Sequence, residues 1–328
     1  MACRGDNISG QNSHLQGTGF RPPGGETPPL QCLLVNVQNL KQPDKLEIEV
    51  LVERWLVFWY NGGKSRKDGE NMHTKEEYIA VFDSGVGGIS VLRELVKLMP
   101  RENYLYFGDS ANAPYGSRTT DGVRQLTLAA ADALVKRGIK ALVVACNTAT
   151  AAAINILRER YPELIVIGIE PALKPAADRF PGGHIGVMAT PVTLREEKFN
   201  HQLERFPGVT VSTIPIPDLV ELIEAGHRDD QEVEALLRPV LGPYAGKLDA
   251  VVLGCTHYPF AAKTIGRILG EKTVVMDGGA GTARETRRRL EEAGLLHDGP
   301  GHVLLENSAG DPRLLELAGQ LLYEGEKV

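Results

Sequence analysis

A chain of 328 residues, at roughly 100–200 residues per domain, has room for two domains and a large buried core without disulfide or metal staples. Its composition, 42% apolar and 24% charged with 36 Gly and 20 Pro, is that of an ordinary globular protein and excludes collagen-like, coiled-coil and wholly disordered chains. With 36 Lys and Arg against 42 Asp and Glu the net charge is -6, so there is no electrostatic footprint for nucleic acid and small-molecule chemistry is the better expectation.

In chain order, residues 1–77 differ in texture from the rest. RPPGGETPPL (21–30) is Pro/Gly-rich irregular chain, NGGKSRKDGENMHTKEE (61–77) is a polar linker, and the only periodic element between them is 46–60. There Leu46, Ile48, Val50 and Val52 alternate like a strand, whereas Trp55, Phe58 and Trp59 could line a helix, and so short a window decides for neither. Met72 stands just before the first strong strand, so two readings of this atypical extension stay open: an untranslated or disordered segment, or a docking element. The opening MACRGDNISG has no basic stretch followed by an apolar one, and no run approaches the roughly 20 uncharged residues of a membrane span. Cys3, Cys32, Cys146 and Cys255 are too scattered for a disulfide framework and show no CxxC spacing. A soluble protein in a reducing, cytoplasmic compartment is expected, with no membrane contact.

From Tyr78 the chain turns to apolar runs separated by helix-length amphipathic segments, the pattern of an α/β protein with parallel sheets. Strands are expected at 78–82, 103–107, 141–145, 164–169, 184–188, 209–214, 250–254, 273–276 and 302–306. Thr119 or Thr120 can cap a helix over 121–137 that Gly138 closes, and Gly226 follows an apolar-periodic segment ending at Glu224.

Two strand ends match. ALVVA runs into Cys146-Asn147-Thr148 and an alanine-rich helix, and AVVLG runs into Cys255-Thr256-His257 and a helix near Phe260. Open α/β sheets bind ligands outside the carboxyl ends of their strands, beside helix N-termini that can lower a thiol's pKa. One free cysteine is more often a buried small hydrophobe. Two in matching contexts, each followed by polar residues where a core strand would stay apolar, point to thiolate chemistry.

A third strand end, YIAVF, enters Asp83-Ser84-Gly85-Val86-Gly87-Gly88 and a helix, and the N–H groups of such a loop can hold a carboxylate. The loop matches neither GxGxxG nor GxxxxGK[ST], so dinucleotide and nucleoside triphosphate readings lack their residues. On its own, Asp83 is as much a loop cap as a catalytic group. After YLYF come Gly108-Asp109-Ser110 and the turn former Ala113-Pro114-Tyr115-Gly116. These ends outline a crevice of two thiols, carboxylates, a histidine and hydroxyls, with no metal-ligand cluster, and no metal is expected.

In order and spacing, DSGVGGISV (83–91), GDSANAPYG (108–116), CNTATAAA (146–153), IEPALKPA (169–176), ATPVT (189–193) and GCTHYPF (254–260) resemble the blocks of the glutamate racemases, cofactor-independent members of the aspartate/glutamate racemase superfamily. The resemblance covers about residues 78–328. It implies two similar open parallel-sheet domains with helices on both faces and the active site in the cleft between them, each domain giving one cysteine. By that analogy the first comprises 78–173 plus a returning 284–328, and the second 174–283.

The implied activity is interconversion of L- and D-glutamate, supplying D-glutamate for peptidoglycan, with glutamate as the small-molecule partner and a homodimer left open. Inversion at an α-carbon needs one group to take a proton on one face and another to return a proton on the opposite face. Cysteine suits both roles because its pKa of about 8.5 can be tuned toward the working pH. The family suggests that Cys146 acts on D-glutamate and Cys255 on L-glutamate, assisted by Asp83 and His257 respectively. Asp109 and Glu224 match further acidic positions, although Glu221, one helical turn earlier, could fill the place of Glu224. Asp83-Ser84, Tyr115-Gly116, Asn147-Thr148 and Thr256-His257 match the substrate-binding pairs. No cofactor is expected, since Lys174 and the other lysines lack a pyridoxal context.

The chain departs from the family pattern in its extension, in Pro215-Ile216-Pro217 and in DGGAGTARE (277–285). Rival readings are a racemase of aspartate or another acidic amino acid, a non-catalytic amino-acid-binding protein on the same scaffold, and a thiol redox enzyme, the last opposed by the lack of CxxC.

Overall fold

The computed structural model describes residues 32–36, 49–50, 73–190, 193–194, 206, 208–216 and 218–323. Two short strands, β1 (Cys32–Asn36) and β2 (Glu49–Val50), precede the body of the fold. The first part of that body is β3 (Tyr78–Asp83), α1 (Ile89–Leu98), β4 (Asn103–Gly108), α2 (Thr120–Val135), β5 (Ile139–Val144), α3 (Asn147–Arg160) and β6 (Ile165–Gly168). Then come α4 (Leu173–Arg179), β7 (His184–Ala189), β8 (Thr210–Pro215), α5 (Asp218–Glu224), α6 (Gln231–Leu241), β9 (Ala250–Gly254), α7 (Ala262–Leu269) and β10 (Val274–Asp277). The chain closes with α8 (Gly279–Glu292), β11 (His302–Asn307) and α9 (Pro312–Tyr323). All the strands expected from Tyr78 onward are present.

Apolar runs such as ALVV bury both faces, and that is what a parallel sheet covered by helices requires. Successive side chains serve opposite cores. In the first sheet Ile79, Val81 and Val143 pack with Ile89, Leu92 and Leu95 of α1, while Ala80, Phe82, Leu142 and Val144 pack with Val123 and Leu134 of α2 and Leu157 of α3. In the second, Ile185, Val187 and Val252 meet Leu173 and Ala176 of α4, and Met188, Val251 and Leu253 meet Leu219, Leu237 and Ile265. The α1 core of the first sheet and the α5–α7 core of the second form one continuous apolar cluster, so burial itself joins the two halves.

The two sheets are wired alike. The first has the order β2-β1-β11-β4-β3-β5-β6 and the second β10-β9-β7-β8. Leaving aside β1, β2 and β11, the strand that comes first in each (β3, β7) is central, the next (β4, β8) lies on one side, and the third and fourth (β5 and β6, β9 and β10) lie on the other. The direction of winding therefore reverses at the central strand, the kind of switch point where α/β sheets bind ligands. Cys146 follows β5 and Cys255 follows β9, so the cysteines occupy equivalent places.

The extension differs from its sequence reading. Leu33-Leu34-Val35, outside the one periodic element expected in the extension, lie in a strand, and β1 pairs antiparallel with β11 from Cys32↔Glu306 to Asn36↔His302. Its pairing partner stands at the other end of the chain, where no local pattern points to it. Of the periodic segment 46–60, Glu49 and Val50 pair with β1 as a strand, and the rest lies outside the described residues. Away from the cysteines, at the start of β5, the fully buried Lys140 Nζ lies 2.6 Å from Glu102 Oε2 and donates to the Leu295 carbonyl, which satisfies a charge that burial would otherwise expel.

Candidate active site

Cys146 is the N-cap of α3, and its sulfur accepts the Ala149 N–H at 3.5 Å and lies 3.7 Å from Ser84 Oγ. A helix N-terminus alone would favour the thiolate. Here burial dominates, the Asp83 carboxylate adds to it, and the thiol is pushed up to about 12 despite the Ala149 and Ser84 contacts. At this strand end the helix dipole is present and is outweighed.

The Cys255 turn is built differently. No α-helix starts at the sulfur; a 3-10 turn, Tyr258–Ala261, intervenes before α7. His257 Nδ1 lies 3.7 Å from Cys255 Sγ, and its Nε2 lies 2.7 Å from Glu224 Oε1. Burial disfavours the imidazolium, but the contacts with Cys255 and Glu224 outweigh it and raise His257 well above an ordinary histidine. Burial likewise opposes the Glu224 carboxylate, and His257 with the Val86 N–H more than offsets that, leaving its pKa lowered. Glu224 rather than Glu221 thus meets the histidine, while Glu221 faces the cavity.

The glycine loop after β3 does hold carboxylates, but they are the protein's own. Gly85 N–H donates to Asp83 Oδ1 at 3.0 Å and Val86 N–H donates to Glu224 Oε1 at 2.8 Å. Tyr106 holds the loop through a 2.6 Å hydrogen bond to the Gly85 carbonyl. A Cβ on Gly85 would collide with the Glu224 carboxylate, and one on Gly87 with the His257 ring and Thr256 Oγ1, so the loop needs glycine to let the second sheet's residues approach. Thr256 Oγ1 donates to Asp83 Oδ2 at 2.9 Å, tying the turn after β9 to the end of β3. Asp83 is fully buried, and desolvation raises its pKa against the pull of His257 and these bonds.

A single cavity is lined from both sheets by Ser84, Tyr115, Gly116, Cys146, Asn147 and Thr148, and by Thr190, Glu221, Cys255, Thr256 and His257. Nine of the twelve candidate residues therefore line it together. Asp83, Asp109 and Glu224 stand behind it. Asp109 accepts the Tyr115 hydroxyl at 2.6 Å and the Ser308 hydroxyl at 2.7 Å, anchoring the Pro-Tyr-Gly turn to the end of β11. The amide oxygen of the buried Asn147 has no hydrogen-bond partner among the described residues. A buried acceptor left open in a polar cavity suits a ligand donor such as an ammonium group. Thr190 was not among the sequence candidates. It follows β7 as Ser84 follows β3, and its Oγ1 lies 3.1 Å from Thr148 Oγ1. Its place at a strand's carboxyl end was the signal that could have found it.

The family described as Asp/Glu/Hydantoin racemase matches residues 79–286. A glutamate racemase of Clostridium botulinum is 46% identical over 255 residues, which are 76% of this chain and 99% of that protein. The crystal structure of Thermus thermophilus glutamate racemase in complex with β-chloro-D-alanine shares 36% identity at a TM-score of 0.65, over 76% of this chain and 95% of its own. The Francisella tularensis glutamate racemase in complex with D-glutamate shares 28% identity at a TM-score of 0.68, over 76% and 94%. No helix among the described residues is long and apolar enough to cross a membrane.

Proposed function

The chain belongs to the Asp/Glu/hydantoin racemase family, and from that membership we propose that it is an isomerase that interconverts L- and D-glutamate by proton transfer between Cys146 and Cys255. The observation that carries the reading is the pair of sulfurs at equivalent strand ends of two like-wired sheets, lining one cavity under opposite electrostatic surroundings. The choice of glutamate rests on the relatives.

In the proposed reaction from L-glutamate, the direction of proton transfer requires Cys255, 3.7 Å from His257 Nδ1, as thiolate and Cys146 as thiol. The thiolate takes the α-proton of L-glutamate, and the C–H electron pair stays on the α-carbon as a carbanion. The Cys146 thiol then delivers its proton to the opposite face, giving D-glutamate, a Cys255 thiol and a Cys146 thiolate. D-glutamate runs the same steps in reverse. Asn147 accepts from the substrate ammonium, and Ser84, Thr148 and Thr190 supply hydroxyls for the carboxylates. Preorganised dipoles in a buried site can stabilise developing charge with little reorganisation. Asp83 and His257 assist proton movement on either side, with Glu224 holding His257 and Asp109 holding Tyr115.

The same reading places the enzyme in the cytoplasm as a source of D-glutamate for peptidoglycan, with assembly as a homodimer left open. It divides the body into 78–173 plus 284–328 and 174–283. That α8 is continuous through residue 283 and packs on α1 supports a second crossing at the start of that helix.

The test is circular dichroism of the purified, reduced protein with each enantiomer of glutamate and of aspartate, without added cofactor. Loss of glutamate optical activity supports the reading. Change with aspartate alone moves the substrate, a difference of one methylene worth about 1–3 kcal/mol in a pocket. Silence with all four amino acids overturns it in favour of a binding protein.

A further inference from the structure

The turn carrying Cys255 has a gap in its own hydrogen bonding. Tyr258 N–H donates to the Cys255 carbonyl at 3.2 Å, and Phe260 N–H donates to the His257 carbonyl at 3.1 Å. Between them, the Thr256 carbonyl would take the next bond of the stack from residue 259. That residue is Pro259, which has no N–H. The missing donor comes from the other sheet. Ser90, in the first turn of α1, places its Oγ 2.9 Å from the Thr256 carbonyl and 2.9 Å from the Gly87 carbonyl. A hydroxyl has one proton to give. The Gly87 carbonyl already accepts the Ser90 N–H at 3.0 Å, so the Thr256 carbonyl is the acceptor that needs it.

We propose that Ser90 is a positioning residue for the Cys255 half of the reaction: its hydroxyl fixes the Thr256–His257 peptide, and through it the bearing of the Cys255 sulfur and the His257 ring, while leaving Cys146 alone. This rests on the two-cysteine reading above. Cys146 stands on the first sheet and is held by Ala149 and Ser84, neither of which contacts Ser90 through a hydrogen bond. Loss of the Ser90 hydroxyl therefore weakens one thiolate and not the other.

Racemisation cannot show this cleanly, because the equilibrium constant ties kcat/KM in the two directions. Irreversible elimination can. From 3-chloroglutamate a single thiolate takes the α-proton, the C–H electrons form the Cα–Cβ double bond, chloride leaves, and hydrolysis of the enamine gives 2-oxoglutarate and ammonium. Each enantiomer uses the thiolate on its own face, and Cys255→Ser identifies the hand that depends on Cys255. Ser90→Ala is expected to slow that hand about tenfold in kcat and the other by less than about twofold, the former being the size expected for one lost hydrogen bond. Ser90→Thr, which keeps a hydroxyl, is expected to restore it. Equal losses from both hands, no loss from either, or no recovery in Ser90→Thr overturns the proposal. A wild-type protein that neither racemises glutamate nor eliminates chloride fails the two-cysteine reading instead, so the two failures are distinguishable.

Discussion

Cys146 and Cys255 stand at equivalent strand ends, and their surroundings differ in almost every other respect. Cys146 caps a 14-residue helix and has a buried carboxylate, Asp83, as its charged neighbour. Cys255 has a short 3-10 turn instead of a helix, and its charged neighbour is a histidine held by Glu224. The difference teaches that like topology does not set like chemistry: the helix dipole stands at the sulfur pushed toward thiol, where burial outweighs it and the Asp83 carboxylate adds to the burial. A reaction that needs one thiol and one thiolate is served by that inequality.

The harshest way to break the comparison is to remove a sulfur. Cys146→Ser and Cys255→Ser are each expected to lower racemisation about 10³-fold or more, the scale of a general acid–base group, by circular dichroism on either enantiomer. Chloride elimination should survive in each variant for one hand only, and survival for both hands in either variant would contradict separate faces.

Next in size is the charge behind Cys255. In Glu224→Gln the histidine loses one of the two contacts that raise it, and burial, which disfavours the imidazolium, gains weight. His257 should then lose its proton at lower pH, so the alkaline limb of the kcat/KM profile should move acidward, with activity above neutrality down about 10- to 100-fold. A profile that keeps its alkaline limb in place would remove His257 from the account.

A milder change sharpens the Cys146 side. Asp83→Asn removes a negative charge that disfavours the thiolate, so the raised pKa of the thiol should fall. Alkylation of Cys146 at pH 8, followed by peptide mass spectrometry in a Cys255→Ser background, should become several-fold faster. Slower alkylation would reverse the sign assigned to Asp83. Smallest of all, protein beginning at Met72 should keep its specific activity within about twofold, since β1 and β2 lie outside the cavity. A folded but inactive product would make the extension part of the function.

Much of the fold was legible because parallel strands write themselves as short apolar runs, and the two cysteine strand ends were legible because polar Asn147-Thr148 and Thr256-His257 interrupt that pattern. What the local sequence could not show is which distant residues meet. The Glu224 bond to Val86 spans 138 positions, the Thr256 bond to Asp83 173 and the Ser90 bond to Thr256 166. For the same reason a carboxylate site at the glycine loop could be foreseen, but not that Asp83 and Glu224 themselves would fill it. Strand β1 escaped because its partner β11 lies at the far end of the chain. Thr190 escaped because no chemistry marks it apart from its place after β7.

Proton bookkeeping at the α-carbon tests the two-cysteine account most directly. D-glutamate is mixed with the enzyme in deuterated buffer, and residual substrate and product are separated by chirality and analysed by mass spectrometry during the first few per cent of conversion. The account predicts L-glutamate carrying deuterium at the α-carbon, delivered by a solvent-exchanged thiol on the opposite face, beside D-glutamate that still carries its original proton. L-glutamate that retains the substrate's own α-proton would mean that one group takes and returns it, and would contradict the account.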